Sequence, residues 1–225
     1  MIQYDSKNSV FLSSLISKSF IEHGFGTKHF TLPSIKPHIH PKQTHSDNIS
    51  VIDKFNEKST TIENCDGLIT KKRNVVLTVI TADCVPIIYV DEKAGIIGIS
   101  HQGWKGTLNR LPGKMVDKML SLGASVKNIH CFFGPAINDC CYEIYGERLQ
   151  KFEDEFKSES IFRKSNGKYF LNMNKANYLT VVQKGINPNR IDFFPFCTSC
   201  DSKRFYSYHR DKKIVGEMVS FVKMK

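Results

Sequence analysis

The sequence predicts an α/β fold of the α+β kind: a single domain, residues 1–225, with mixed β-sheets flanked by helices. Three observations carry that expectation. Apolar runs of strand length, rich in β-branched residues, recur at Ile49–Ile52, Val75–Ile80, Pro86–Val90, Ile96–Ser100, Ile129–Phe133 and Ile191–Phe194. Amphipathic stretches of helical length begin near Pro112, Glu147 and Asn172. Strands and helices alternate without a strict βαβ rhythm, and no repeat, low-complexity tract or linker interrupts the chain.

Bulk properties narrow the function classes. A hydrophobic content of 40% over 225 residues is that of a globular protein with a sizeable core. The net charge of +10 comes from 25 Lys against 7 Arg, spread thinly, the longest basic run being Lys71–Arg73. Such a solvated lysine surface argues against nucleic-acid binding but favours a small anionic ligand such as phosphate. The start MIQYDSKNSV lacks a basic segment followed by an apolar one, so no signal peptide is expected. The most apolar window, Val75–Val90, is broken by Asp83 and too short to span a bilayer, so a cytoplasmic protein without membrane contact is expected. Seven cysteines in that setting are metal ligands, nucleophiles or core fillers rather than disulfides.

Taken in order, residues 1–22 are expected to form a short strand and a helix, with Phe11, Leu12, Leu15 and Ile16 on one helical face. His23–Phe30 (HGFGTKHF) reads as a Gly-rich turn carrying Lys28. Pro33–Pro41 is expected to be extended, with His38 and His40 on one side as surface histidines. A polar cluster, Lys42–Asn48, leads into the strand Ile49–Ile52, and Asp66-Gly67 reads as a turn. After three strands, a loop at Trp104–Thr107 would hold Lys105 near unpaired amides, a natural anion site. The helix from Pro112 buries Met115, Val116, Met119 and Leu120 and closes at Gly123. An acidic helix over Glu147–Glu159 and another from Asn172 to Lys184, stopped by Gly185, follow. The chain then gives the strand Ile191–Phe194, a polar-aromatic cluster at Cys197–Asp211, and a last strand over Ile214–Val222.

The chemistry centres on Val75–Thr107, where strands deliver two soft, metal-competent side chains: Cys84 in TADC and His101 in SHQGW. With His45 they make two imidazoles and a thiolate, a set that suits zinc and leaves its fourth position open to water. Water so held has its pKa lowered towards neutrality and can attack an electrophilic carbon. The same residues admit a Cys–His dyad, Cys84 as nucleophile and His101 as base, with Asp83 orienting the base or serving as an acid. Spacing alone leaves both readings open beside a structural one. Cys197-x-x-Cys200 would need two more ligands to hold a structural zinc. Adjacent Cys140 and Cys141 are a poor substitute, because neighbouring side chains point different ways, so core packing is expected there.

The stretches HGFGTK at 23, QTHSDNI at 43, DGLIT at 66, TADCVPIIYVD at 81 and SHQGWKGT at 100 carry a family resemblance, continued by GPAINDCCYEI at 134, NKANYLTVVQKGI at 174 and CTSC…FYSYHRD at 197. In this order the chain resembles the YfiH-type laccase-like family, the multicopper polyphenol oxidoreductase family, whose members are also described as purine nucleoside phosphorylases with adenosine deaminase activity. The resemblance covers nearly the whole chain, and TADC with HxGW is specific. It implies a zinc on His45, Cys84 and His101 and a single α/β domain. The partners it implies are small-molecule purine nucleosides and phosphate. The implied reactions are phosphorolysis of adenosine, inosine, guanosine and S-methyl-5'-thioadenosine, and deamination of adenosine to inosine.

There are departures from the family pattern. Lys105 and Lys28 stand where the family usually has Arg, and its Ser-Tyr-Arg-Arg-Asp reads Ser207-Tyr208-His209-Arg210-Asp211. Lysine holds a phosphate as a point charge without the bidentate fork of arginine. Lys28, Lys105 and Arg210 are the candidates for binding phosphate, and Asp83 for proton transfer. The aromatic residues of Phe205–Tyr208 are candidates for stacking on a base. Three alternatives stand beside this reading. A copper-dependent polyphenol oxidase is disfavoured because one Cys and two His cannot supply several coppers. The others are a Cys–His hydrolase and a non-catalytic nucleoside-binding protein.

Overall fold

The structure is a computed structural model that describes residues 2–16, 19–32, 38–55, 58–157, 160–213 and 216–225. Two large mixed sheets lie face to face. The first runs, edge to edge, Ile2–Asp5, Val10–Ser13, Ile21–Gly26, Met218–Met224, Val76–Thr81, His38–Pro41, Thr60–Ile62. The second runs Ile191–Phe193, His130–Phe133, Val85–Asp91, Ile96–Gln102, Gly67–Thr70, Ile49–Ile52. A small antiparallel sheet of Glu143–Ile144, Lys168–Leu171 and Phe162–Ser165 stands apart from both.

The apolar runs are continuous rather than alternating because the central strands of the second sheet are covered on both faces. Along Val85–Asp91, Val85, Ile87 and Tyr89 pack against one core cluster, which includes Met115, Val116 and Met119 of the helix Leu111–Ser121 and Ala176 and Val181 of the helix Met173–Gln183. Ile88 and Val90 point the other way, into a second cluster with Phe25, Leu77 and Val79 of the first sheet. The period-2 geometry of a strand thus sends one residue to the helices and the next to the opposite sheet. Asn172 caps the second helix by accepting a bond from Lys175 N at 2.8 Å, and Gly123 and Gly185 follow their helices at φ +100° and +90°.

The structure departs from the expected elements in several places. Residues 10–16 are not helical. Asp5 accepts bonds from the amides of Lys7 and Asn8, and the chain turns back with Ser9 at φ +54°, so Ile2–Asp5 and Val10–Ser13 form a hairpin. All of HGFG belongs to the strand Ile21–Gly26, paired with Met218–Met224, and the turn carrying Lys28 comes only after it. Asp66 is wholly buried, and Gly67 opens a strand rather than a turn. Trp104–Leu108 is a short helix, not a loop. The acidic helix spans Gly146–Glu155, and the last strand spans Met218–Met224. Residues 33–37, 158–159 and 214–215, at the ends of expected elements, lie outside the described residues. Among the described residues no helix is long and apolar enough to cross a membrane.

Candidate metal centre and its cavity

Three chain segments converge where the second sheet meets the loop after His38–Pro41. His101 is the sixth residue of Ile96–Gln102, Cys84 immediately precedes Val85–Asp91, and His45 sits in the loop after Pro41. One ligand atom from each of the three lies within 4.8 Å of the others. The two imidazole rings meet edge to face, with centroids 4.9 Å apart and an interplanar angle of 87°. The sequence-predicted trio is therefore one constellation in space.

Asp66, whose role the sequence did not reveal, holds two members of the trio in place. Its carboxylate accepts from His101 Nδ1 at 2.8 Å, from the backbone amides of Thr44 and His45 at 3.2 Å each, and from Ser46 N and Oγ at 2.7 Å each. Its backbone carbonyl takes His101 N at 2.8 Å. With Nδ1 committed to Asp66, Nε2 is the free donor atom of His101, the arrangement found in carboxylate–histidine–metal triads. Burial pushes the Asp66 carboxyl up, but the bonds from His101 and Ser46 outweigh it and bring it down to about 2. His45 sits at φ +58°, a strained conformation for a non-glycine residue, and the Asp66 bonds to its loop hold it there.

Charge within the trio is tightly coupled. Burial pushes the Cys84 thiol up, yet His101 and His45 bring it down to about 7, while His101, lowered by burial, is raised by Cys84 and Asp66 to about 9. Each group thus favours the charged form of the other. Two imidazoles and a low-pKa thiol, one imidazole oriented by a carboxylate, fit a zinc ion with three protein ligands.

The Gly of HxGW is explained by space rather than by backbone freedom. Gly103 has φ −71°, open to any residue, but a Cβ there would lie 2.5 Å from His45 Cδ2. Gly103→Ala is expected to displace His45 and lower metal affinity about 10-fold or more, with the far-UV circular dichroism unchanged. Zinc titration with a competing chelator measures it, and unchanged affinity would show that the glycine does not set the position of His45.

The trio lies in a cavity of about 650 Å³ lined also by Lys42, Trp104, Tyr142, Arg148, Tyr208 and His209. Two other cavities, of about 630 and 610 Å³, are as large. Volume does not single this one out, but convergent donors do. Arg148 lies 4.5 Å over the Trp104 ring and donates to Tyr142 Oη at 3.3 Å. Tyr208 and Ile80, large apolar side chains left 55% and 38% exposed, flank the mouth. The Gln of QTH clamps this wall: Gln43 donates Nε2 to Ile80 O at 2.8 Å and accepts Ile80 N at 2.9 Å.

The other sequence-picked residues fare differently. Asp83 lines the cavity, but its carboxylate accepts from Thr198 Oγ1 at 2.6 Å, Ser207 Oγ at 3.0 Å and His209 N at 2.7 Å. Held at φ +92° beside Cys84, it anchors the 198–209 segment next to that cysteine. Lys28, Lys105 and Arg210 do not line the cavity. Lys28 Nζ bonds Ser202 O at 2.8 Å, and Lys105 Nζ lies 5.7 Å from the Trp104 ring centroid. Arg210 pairs with Asp211 and donates to the carbonyls of Thr198, Ser199 and Phe205. The cations that do line it are Lys42 and Arg148, which no local pattern marked. In the His209-Arg210 pair it is position 209 that lines the cavity, so the histidine standing where the family has arginine sits at the site itself.

The family model for the multi-copper polyphenol oxidoreductase laccases matches residues 27–225. The chain belongs to this family. Similar proteins include adenosine deaminase RL5 from an unidentified prokaryote, 34% identical over 179 residues that make up 76% of this chain and 68% of that protein. Purine nucleoside phosphorylase YlmD of Geobacillus stearothermophilus is 33% identical over 168 residues, 73% of this chain and 61% of that one. Among solved structures, the hypothetical protein YfiH of Bacillus licheniformis superposes with a TM-score of 0.87 at 26% identity over 100% of this chain and 99% of its own. The YlmD structure gives 0.89 at 24% identity over 100% and 98%, a likeness of fold alone.

Proposed function

We propose that the chain is a zinc-dependent purine nucleoside enzyme. Its reactions would be phosphorolysis of adenosine, inosine, guanosine and S-methyl-5'-thioadenosine and deamination of adenosine to inosine. The observation that carries this reading is the meeting of His45, Cys84 and His101 in a cavity walled by aromatic and cationic side chains. The names of the relatives, an adenosine deaminase and a purine nucleoside phosphorylase, point the same way. A zinc on the trio supplies Lewis acidity and a nucleophile available near neutral pH.

The chain's own residues would do the rest. Trp104 and Tyr208 offer ring faces and Ile80 apolar surface for a purine, and Lys42 and Arg148 offer the charge for phosphate. His209 lines the cavity, and burial, then Lys212, lower its pKa and favour the neutral imidazole, a form that can accept a proton. Asp83 acts as a positioning residue, holding His209 and the segment that carries Tyr208. With one imidazole in place of an arginine at the cavity, phosphate is gripped mainly by Lys42 and Arg148, and deamination gains weight relative to phosphorolysis.

Incubation with adenosine, with and without phosphate, tests the reading. Inosine is expected in both arms and adenine only with phosphate, followed by chromatography of the products. Absence of both from zinc-loaded protein would overturn it. A copper-dependent polyphenol oxidase takes its support from the family's description. The described residues offer one His/Cys trio and one all-cysteine set, neither of which matches an array of several coppers, and turnover of a phenol by copper-loaded protein would favour that alternative.

A further inference from the structure

Four of the seven cysteines meet at a second place, away from the trio. Cys140 and Cys141 come from the turn after Gly134-Pro135, and Cys197 and Cys200 from the segment after Ile191–Phe193. One Sγ from each lies within 4.8 Å of all the others. Cys200 Sγ is 3.6 Å from Cys140 Sγ and 3.4 Å from Cys141 Sγ. A disulfide needs sulfurs about 2.05 Å apart, and all four cysteines are free. Four sulfurs placed tetrahedrally at about 2.3 Å from one zinc ion would stand about 3.8 Å from one another.

The adjacent pair converges because it lies in a turn and not in a strand. Both Cys141 N and Tyr142 N donate to Asn138 O at 3.0 Å, and this tight turn removes the alternation that sends neighbouring side chains to opposite faces. The expectation of a poorly placed vicinal pair is corrected here. Backbone pairing brings the CxxC segment alongside: Ala136 and Cys197 form a parallel bridge, and Thr198 N donates to Ala136 O at 3.0 Å. Asn138 N donates to Cys197 Sγ at 3.4 Å, an N–H···S contact that would support a thiolate ligand. Cys140 and Cys200 are exposed and line the 630 Å³ cavity beside the cluster, which gives an ion an entry path.

We propose that Cys140, Cys141, Cys197 and Cys200 form a second, structural zinc site with four thiolate ligands. A closed tetrahedral site of this kind has no open position and serves to cross-link. Here it ties the turn that leads into Tyr142 to the segment whose Thr198 and Ser207 hold Asp83 and whose Tyr208 and His209 line the cavity. Both flanks of one cavity wall would then depend on it.

Metal content and zinc X-ray absorption on three proteins decide the matter: the wild-type chain, Cys84→Ala, and the double variant Cys140→Ser, Cys200→Ser. About two zinc ions per chain are expected in the wild type and about one in each variant. The zinc left in Cys84→Ala should have four sulfur neighbours at about 2.3 Å. Nitrogen or oxygen neighbours there, no zinc in Cys84→Ala, iron in place of zinc, or a disulfide among the four cysteines in peptide maps of the purified protein would each overturn the proposal. If the double variant fails to fold, the Cys84→Ala spectrum decides alone. A wild type with one sulfur-coordinated zinc that survives Cys84→Ala would support this site while sinking the metal at the His45 trio.

Discussion

Cys84→Ala is expected to lower turnover of adenosine by about 10³-fold or more, with the fold intact. The argument is local. Cys84 supplies the sole sulfur of the His/Cys trio, and its low thiol pKa is set by the two imidazoles that would share the ion with it. Removing it leaves two histidines, too few for a firmly held zinc, and with the ion goes several kcal/mol of electrostatic stabilisation of the reacting group. At 1.36 kcal/mol per tenfold, a loss of about 4 kcal/mol gives the stated factor. Steady-state kinetics of zinc-loaded protein, paired with metal analysis, measure it. A variant that loses turnover but keeps its full zinc content would favour the Cys–His dyad, in which Cys84 is a nucleophile rather than a ligand.

Asp66→Ala is expected to be the most damaging substitution for stability among the residues around the trio. The carboxylate accepts from three consecutive amides, a hydroxyl and an imidazole. Leaving partly buried donors without partners costs about 3 kcal/mol in total, a fall of roughly 10 °C in melting temperature for a chain of this size. Zinc affinity should fall about 10- to 100-fold as His101 loses its orientation and the His45 loop relaxes from its positive φ. The same group sets an acid limit. Its pKa is depressed in the fold, from 3.8 to about 2, so the stability it contributes is present above about pH 4 and is lost as pH falls towards 2. Thermal melts of wild type and Asp66→Ala between pH 7 and pH 2 check this: the gap between the two curves should narrow on acidification, and a constant gap would show that the carboxylate's charge is not what matters.

Much of the site was legible in the sequence because its parts sit on strands whose apolar runs have only one reading. Val76–Thr81, Val85–Asp91 and Ile96–Gln102 appear within a residue or two of the expected runs, so Cys84 and His101 were correctly placed at strand ends. His45 was legible only as a candidate, since its meeting with the other two depends on sheet order, not on spacing. Asp66 was misread because Asp-Gly is a strong turn signal. In the structure, however, its side chain turns inward to collect donors from a loop some twenty residues earlier in the chain. The phosphate candidates were drawn from motif positions, and motif position does not say which way a side chain faces. Arg210 is spent on carbonyls of its own segment, while Arg148, from a helix that reads only as acidic and amphipathic, reaches the cavity by stacking on Trp104. The N-terminal hairpin was mistaken for a helix because its apolar spacing fits both periods, and the Asp5 turn that breaks the ambiguity is short and polar.

Zinc removal and restoration test the central claim most directly. The wild-type chain should lose adenosine turnover when a chelator and dialysis remove the zinc from both sites. It should regain that turnover when zinc is added back, and Cys84→Ala treated in the same way should regain none. Full turnover by the stripped protein, or restoration of Cys84→Ala to the wild-type rate, would contradict the assignment of His45, Cys84 and His101 as the metal centre of a purine nucleoside enzyme.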